Sequence, residues 1–355
     1  MQSKDIVNRF ANARNSLTTQ QSDFTLAALY EMVKNNSINI RPDYQRRDRW
    51  DYEKQSALIE SFLLNVPVPP IYFSEDEFGS YSVIDGNQRI TAIYEFLSGK
   101  LELKGLKKFP ELNGFKFNQM PPQLQYALFD KTYIRVTILL RDSDSQLKHE
   151  VFLRLNSGGD KLKAQEVRNA AYSGPLNELL FELAGTASLK EKLKITNDKS
   201  SAYRSMDDAE HVLRYLTLEK NWKTITRPLG EEMDIFMSTH RHDNVRNYRD
   251  SFLRALDGCV NIWGNHAFQK PTHEGWRDQL LSPLYDAQMI AVSMMDEPSL
   301  EHLQQRRDII IDMTREIFES NATFVKAISN ATHTPQAIRT RITLMQDLLQ
   351  HALRY

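Results

Sequence analysis

The residues whose types and spacing could do chemistry lie together in Tyr81-Ser-Val-Ile-Asp-Gly-Asn-Gln-Arg-Ile-Thr-Ala92. The run reads as a short strand over residues 81–84 that breaks at Asp85-Gly86 into a helix with Asn87, Gln88 and Arg89 in its first turn. Such a junction leaves backbone N–H groups without intrahelical partners and sets the positive end of the helix dipole beside them. Gly86 permits close approach to the backbone, and Arg89 adds a planar, forked cation that matches phosphate oxygens. Asp85, closing the strand, is placed to hold a metal or to orient a water. The chemistry on offer is capture of an anion, phosphate above all. The same residues also make an ordinary tight turn with an N-cap carboxylate and a surface arginine, so they need supporting residues from elsewhere before they become a site.

Two further stretches could supply those residues. Upstream, Arg41-Pro-Asp-Tyr-Gln-Arg-Arg-Asp-Arg-Trp50 packs arginines, a tyrosine and a tryptophan into a loop that Pro42 keeps extended. Basic and aromatic groups so mixed suit phosphate and base contacts; Arg46 is the foremost functional candidate, and Trp50 reads as structural. Downstream, Asn156-Ser-Gly-Gly-Asp160 interrupts two helical patterns, and is either a flexible, left-handed turn at a pocket or simply a helix C-cap.

The elements that must position these residues follow from periodicity. Residues 1–23 are polar and read as a loose arm, followed by a helix within 24–34 and a short extended piece at 38–40. Asp51 caps a helix to residue 64, with Leu58, Ile59, Phe62 and Leu63 on one face. Residues 71–73 read as strand, 75–80 as an acidic turn, 101–103 as strand, 104–125 as a loop-rich insert, and 133–140 as an alternating strand. Helices are expected from Asp142 or Ser143 to 155 and over 162–172. Beyond Leu176 no strand is evident, and helices are expected over 206–219, 231–240, 245–263, 282–295, 300–320 and 335–352. The expectation is an α+β fold in two domains, 1–175 and 176–355, the second all-α.

Composition narrows the function classes. Charged residues are 26% and formal net charge is -1, which excludes a purely electrostatic DNA binder but leaves room for a local basic groove. Cys259 is the single cysteine, so intramolecular disulfides are excluded and it is expected in the core. No leader-like apolar segment opens the chain and no run approaches a membrane span, so the expected location is cytoplasmic, with no membrane partner. In the rear half, Arg241, Arg246, Arg249 and Arg254 could line a helix face toward DNA phosphates or form a solvated face.

Taken in order, the three stretches resemble the GmrSD-type restriction endonuclease N-terminal family, in the ParB/sulfiredoxin-like superfamily, whose hallmark D-G-Q-Q-R here reads Asp85-Gly86-Asn87-Gln88-Arg89. Its upstream P-x-Y-Q-R…W signature matches Pro42, Tyr44, Gln45, Arg46 and Trp50. Its downstream pattern matches Phe152, Asn156, Gly158, Gly159, Leu162, Glu166, Arg168, Asn169 and Ala170, so that the likeness covers residues 38–172. The resemblance implies a ParB-like nucleotide-binding domain that hydrolyses NTPs, aided by a divalent metal such as Mg2+, in prokaryotic defence against phage or foreign, often modified, DNA. It implies that Asp85 positions metal or water, Gly86 and Asn87 admit the phosphates, Gln88 orients water or a phosphate oxygen, and Arg89 clamps phosphate. Tyr44, Gln45 and Arg46 would line the pocket from the first stretch, Asn156 and Glu166 from the third. Two departures stand out. Asn87 replaces the usual glutamine with an amide one methylene shorter. No His-centred nuclease signature follows in 176–355, where His240-Arg-His242 is the tightest cluster. The expected partners are therefore a nucleotide, DNA, a separately encoded nuclease or a second copy of the chain. Three function classes follow: an NTPase, a nucleotide-gated binding module without turnover, and a DNA-nicking nuclease.

Overall fold

The structure is a computed structural model that describes residues 17–40, 50–77, 79–143, 147–148, 151, 154–155, 163–172 and 174–354. Internal contacts divide the chain into two compact units, Met1–Ala171 and Tyr172–Tyr355.

The first unit is α+β. Strands β1 (Thr19–Thr25), β2 (Ile38–Asn39), β3 (Ile71–Glu77), β4 (Ser80–Asp85) and β5 (Tyr133–Leu139) form a mixed five-stranded sheet in the order β1-β5-β3-β4-β2. The β1–β5 and β3–β4 pairs are antiparallel, whereas β3 runs parallel to β5 and β2 parallel to β4. Side-chain alternation sends Ile71, Phe73, Val83, Ile134, Val136 and Ile138 to one face. There they meet the apolar stripes of the helices Leu26–Lys34, Tyr52–Leu63 and Asn87–Leu97, in a core that includes Leu29, Ile59, Phe62, Ile90, Ile93 and Phe96. Ile84 and Leu139 point to the opposite face, where Val167 of the helix Ala164–Ala171 covers them. Both faces of β4 are thus packed, which fixes where its C-terminal residue, Asp85, emerges.

Three local expectations are revised. Residues 19–25, read as part of a loose arm, form edge strand β1, because every residue from Thr19 to Thr25 pairs with β5 and Asp23 accepts from Arg135 Nε at 2.9 Å. Its polar sequence suits an edge with little burial and hides the strand from periodicity. β3 continues through the supposed acidic turn to Glu77. Residues 101–103 form no strand: Leu101 and Leu103 are buried, but their backbone bonds go to Glu95 and to the local turn at Gly114 and Phe115 rather than to the sheet.

The second unit is largely helical. The expected helices are present at Asp207–Asn221, Leu229–His240, Arg246–Trp263, Ser282–Ser293 and Pro335–Ala352, joined by Pro175–Ala184, Ala187–Lys192, Ser201–Arg204 and Ala322–Ser329. The helix expected over 300–320 is two, Glu297–Gln305 and Arg307–Ser320, broken at Arg306, whose guanidinium caps the chain near its end by donating to Ala352 O at 3.1 Å. The all-α expectation also needs correction, since β6 (Gln269–Thr272) and β7 (Gly275–Leu280) form an antiparallel hairpin. Its strands are short and lack apolar alternation, so no periodic signal marks them. Among the described residues, no helix is long and apolar enough to cross a membrane. Cys259 is buried, and burial pushes its thiol well above the usual range.

Two arginines and one aspartate lock this unit. Asp286 is fully buried on the Ser282–Ser293 helix, and accepts from Arg214 Nε at 3.0 Å, Arg214 Nη2 at 2.6 Å and Arg341 Nη2 at 2.6 Å. Burial alone would raise the Asp286 carboxyl; the two guanidiniums outweigh it and hold the group below the ordinary carboxylate range. Asp286→Asn keeps the shape and removes the charge, leaving two buried cations without a counter-ion, so unfolding in urea followed by circular dichroism should show a loss of about 3–5 kcal/mol at neutral pH. Because the folded-state pKa is lowered, the contribution of Asp286 is present above the unfolded value of about 3.9 and disappears as pH falls through the folded one; the gap between wild type and variant should begin to narrow only below about pH 4 and close below the folded value.

Candidate functional site

Strand β4 delivers Asp85 to the sheet edge, and the chain then turns on Gly86 into the helix Asn87–Leu97. Gly86 adopts φ 99 and ψ 10, a left-handed conformation that only glycine enters freely. Space makes the same demand, because a Cβ there would lie 3.0 Å from Ile71 Cγ1 and 3.1 Å from Arg89 Nη2. No side chain caps this helix start. The Asp85 carboxylate therefore has a different task from the N-cap role that an ordinary turn would assign it.

That task is to hold Arg89. From the first turn of the helix the arginine folds back over Gly86, donating from Nη2 to Asp85 Oδ2 at 2.6 Å and to Pro70 O at 3.2 Å. The Arg89 side chain is 13% exposed and that of Asp85 35%, so the pair lies at the surface with the cation on the inner side. Two buried polar atoms here have no hydrogen-bond partner, Arg89 Nε and Asn87 Oδ1. Gly86 thus does not open a bare approach to the backbone; its missing Cβ makes room for the guanidinium.

Gln88 links the turn to the first stretch. Its Oε1 accepts from the Trp50 N–H at 3.1 Å, while Gln55 Nε2 donates to Trp50 O at 3.0 Å. Asp51 caps the next helix through Lys54 N at 2.8 Å, as its position predicts. The peptide groups of Trp50, last residue of the basic-aromatic stretch, are held between two glutamines from different helices. Gln55 is a site-forming residue that the motifs do not contain. Its signal is a polar residue three, four and seven positions before Leu58, Ile59 and Phe62 on a buried helix face, and it is itself buried. Pro70, whose carbonyl receives Arg89, gives no comparable sign beyond its place in Pro67-Val-Pro-Pro70.

The third stretch reaches the site through its helix. Val167 rests on Ile84, next to Asp85 in β4, and buried Glu166 accepts from Lys163 N at 2.6 Å at the start of its own helix. Tyr44, Gln45, Arg46 and Asn156 lie outside the described residues, as do Pro42 and Phe152. The structure therefore joins Asp85, Gly86 and Arg89 directly and ties Gln88 to Trp50. Of the four arginines considered for DNA in the helical unit, two are engaged otherwise: Arg249 pairs with Glu182, and Arg254 with Glu297 at 2.6 Å. His240 stacks on Phe236 with centroids 4.4 Å apart. Among the described residues, no group of three or more His, Cys, Asp or Glu side chains could hold a metal ion.

A direct check on this geometry is Gly86→Ala. The positive φ and the contact with Ile71 together should cost about 1–3 kcal/mol of stability and displace Arg89. Thermal unfolding should shift downward more than for Gly79→Ala, where φ is 81 but nothing lies within 4 Å.

Comparison with known proteins bears on the same segment. A family model, the GmrSD restriction endonuclease N-terminal domain, matches residues 29–173. Neither the curated proteins nor the solved structures gave a match. The matched region holds the strand β4, the turn at Asp85–Arg89, the Trp50 clasp and the helix bearing Glu166. Over residues 29–173, the chain carries the N-terminal domain of the GmrSD restriction endonuclease family.

Proposed function

We propose that this domain binds a nucleoside triphosphate at the Asp85–Arg89 turn and hydrolyses it, in prokaryotic defence against phage or foreign DNA carried out with a separately encoded nuclease. The observation that carries this reading is the uncapped helix start with a guanidinium folded over its glycine and tied to Asp85. Two oxygens of a phosphate can accept from a guanidinium side by side as a carboxylate does, so nucleotide would exchange for Asp85 rather than create a new cation site. The orphaned Arg89 Nε gives the incoming anion a second donor.

That exchange would free Asp85 for its own part. Magnesium is held in such sites by one or two carboxylates plus the substrate phosphates, and Asp85 is the carboxylate at the turn. The ion would neutralise charge developing on the phosphates. Gln88, fastened to the Trp50 peptide, would keep Tyr44, Gln45 and Arg46 in register with the turn, and Asn156 and Glu166 would close the pocket from the third stretch. Arg89 and Arg46 would stabilise charge as the terminal phosphate is transferred to water.

One observation favours a second reading, a nucleotide-gated module without turnover. Asp85 is already paired with Arg89, and Asn87, with its partnerless oxygen, is a methylene short of the family glutamine. A catalytic amide set back by about an ångström can lose roughly a hundredfold in rate.

Titration calorimetry with the four NTPs, run with and without DNA, combined with phosphate release in Mg2+ separates the readings. Wild type should bind one NTP and release phosphate, Arg89→Ala should bind roughly ten- to a hundredfold more weakly through loss of charge-assisted bonds, and Asp85→Ala should bind without release. Binding with release no faster than Asp85→Ala would leave the receptor reading and remove the hydrolase. Absence of binding to any NTP would remove the site, and nicking of supercoiled plasmid in Mg2+ or Mn2+ would replace both readings with a nuclease.

A further inference from the structure

The hairpin of the helical unit gathers cations, of which Lys192 pairs with Glu191 at 3.7 Å while Lys270, Arg307 and Arg315 have no carboxylate partner among the described residues. His266 stacks on Trp276 of β7, with centroids 4.6 Å apart and planes at 16°. The Arg315 guanidinium lies over the Trp276 ring at 5.4 Å, and Lys270 of β6 lies over the Phe318 ring at 6.0 Å. Arg307 fills the space beside Gly264, and buried Lys192 donates to Gly264 O at 3.0 Å. Burial lowers the His266 pKa, and the charges that lower it further are those of Arg315, Lys192 and Arg307, all positive.

Helix geometry aligns this set. In Arg307–Ser320, the positions Arg307, Ile311, Arg315 and Phe318 fall on one stripe, while Ile310 and Thr314 turn into the core. Asp308, Asp312, Glu316 and Glu319 fall on the neighbouring stripe, about 100° round the helix. Arg307 and Arg315 are exposed, and neither has a carboxylate partner among the described residues. Elsewhere in the unit, Arg214, Arg249, Arg254 and Arg341 are all in ion pairs. On the hairpin, Asp278 is taken by Lys194.

We propose that this surface, Arg307 and Arg315 with Lys270 and the His266–Trp276 stack beneath them, is a docking site for the phosphate backbone of duplex DNA. A guanidinium resting on an aromatic ring keeps its donors in a fixed plane, which lowers the ordering needed to meet a phosphate. The rings themselves are already covered, Trp276 by His266 and Arg315, Phe318 by Lys270 and by the edge of Phe324 at 5.2 Å. They offer no free platform for unstacked bases, which is what single-strand binders use, so the contact is to backbone and not to bases. The acidic stripe beside the basic one would be repelled by the duplex and sets which side of the helix faces it. This site does not depend on nucleotide binding in the first unit.

The test is fluorescence anisotropy of the full chain with a labelled 20-base-pair duplex across a salt series. The double variant Arg307→Glu/Arg315→Glu is compared with Lys107→Glu/Lys108→Glu, and circular dichroism melts confirm folding. At low salt the first variant should bind roughly tenfold or more weakly and lower the salt slope by about two, while the control matches wild type. Failure of the wild type to bind, equal weakening by the control, or an unchanged slope in Arg307→Glu/Arg315→Glu would overturn the assignment. Tighter binding to a single strand of the same length would overturn the choice of duplex. A folding defect in the charge reversal is bypassed by Arg315→Gln alone, which should lower the slope by about one; an unchanged slope there would count against the site.

Discussion

The first unit's site depends on the closure of Arg89 over Gly86 onto Asp85. A guanidinium with only 13% of its side chain exposed must have acceptors, and the two available are the Asp85 carboxylate and the Pro70 carbonyl. Meeting them requires an arginine one helical turn beyond the aspartate and a residue without Cβ between. It also requires a strand end that aims the carboxylate at the helix. The motif spacing D-G-x-x-R is therefore a geometric statement: residues 85 and 89 meet only if 86 is glycine. Removing Asp85 from a partly buried cation without replacement would be costly, so any group that displaced it would have to be another anion with paired oxygens.

The clasp on Trp50 extends that constraint to the neighbouring segment. Gln88 takes its N–H and Gln55 takes its C=O, so the two peptide groups flanking one residue are held by side chains from two different helices. Any displacement of the turn is transmitted to the end of the basic-aromatic stretch. The buried Gln55 Oε1, left without a partner, shows that the clasp is kept at a cost. A purely structural glutamine at this depth would be replaceable by an apolar residue.

The α+β first unit was legible because its strands and helices announce themselves by period: 133–140 alternates, and 51–64 carries a capped apolar face. The turn was legible because glycine between a strand and a polar helix start has few physical explanations. The pairing of Asp85 with Arg89 was not read, since the same residues fit an N-cap and a free cation equally well until the folded-back rotamer is seen. β1 escaped because an edge strand with polar side chains carries its information in backbone pairing, and residues 101–103 misled because two buried leucines at alternate positions are also what a loop tucked against a core presents. The β6–β7 hairpin escaped for the same reason as β1.

Charge shows the limit of composition most clearly. A formal net charge of -1 describes a chain in which cations and anions balance, and says nothing about where they lie. In the helical unit the balance is uneven in space. Asp286 binds two arginines in the interior, and Glu182 and Glu297 occupy two more, so Arg249 and Arg254 of the arginine-rich run at 241–254 are neutralised by carboxylates distant along the chain. Buried Lys192, half-buried Lys270 and the exposed Arg307 and Arg315 come from three separate stretches of the chain, and they converge only because the hairpin lies against the Arg307–Ser320 helix. A basic surface in this protein is thus a product of which acids are withdrawn into the fold, and it is visible only once the ion pairs have been assigned.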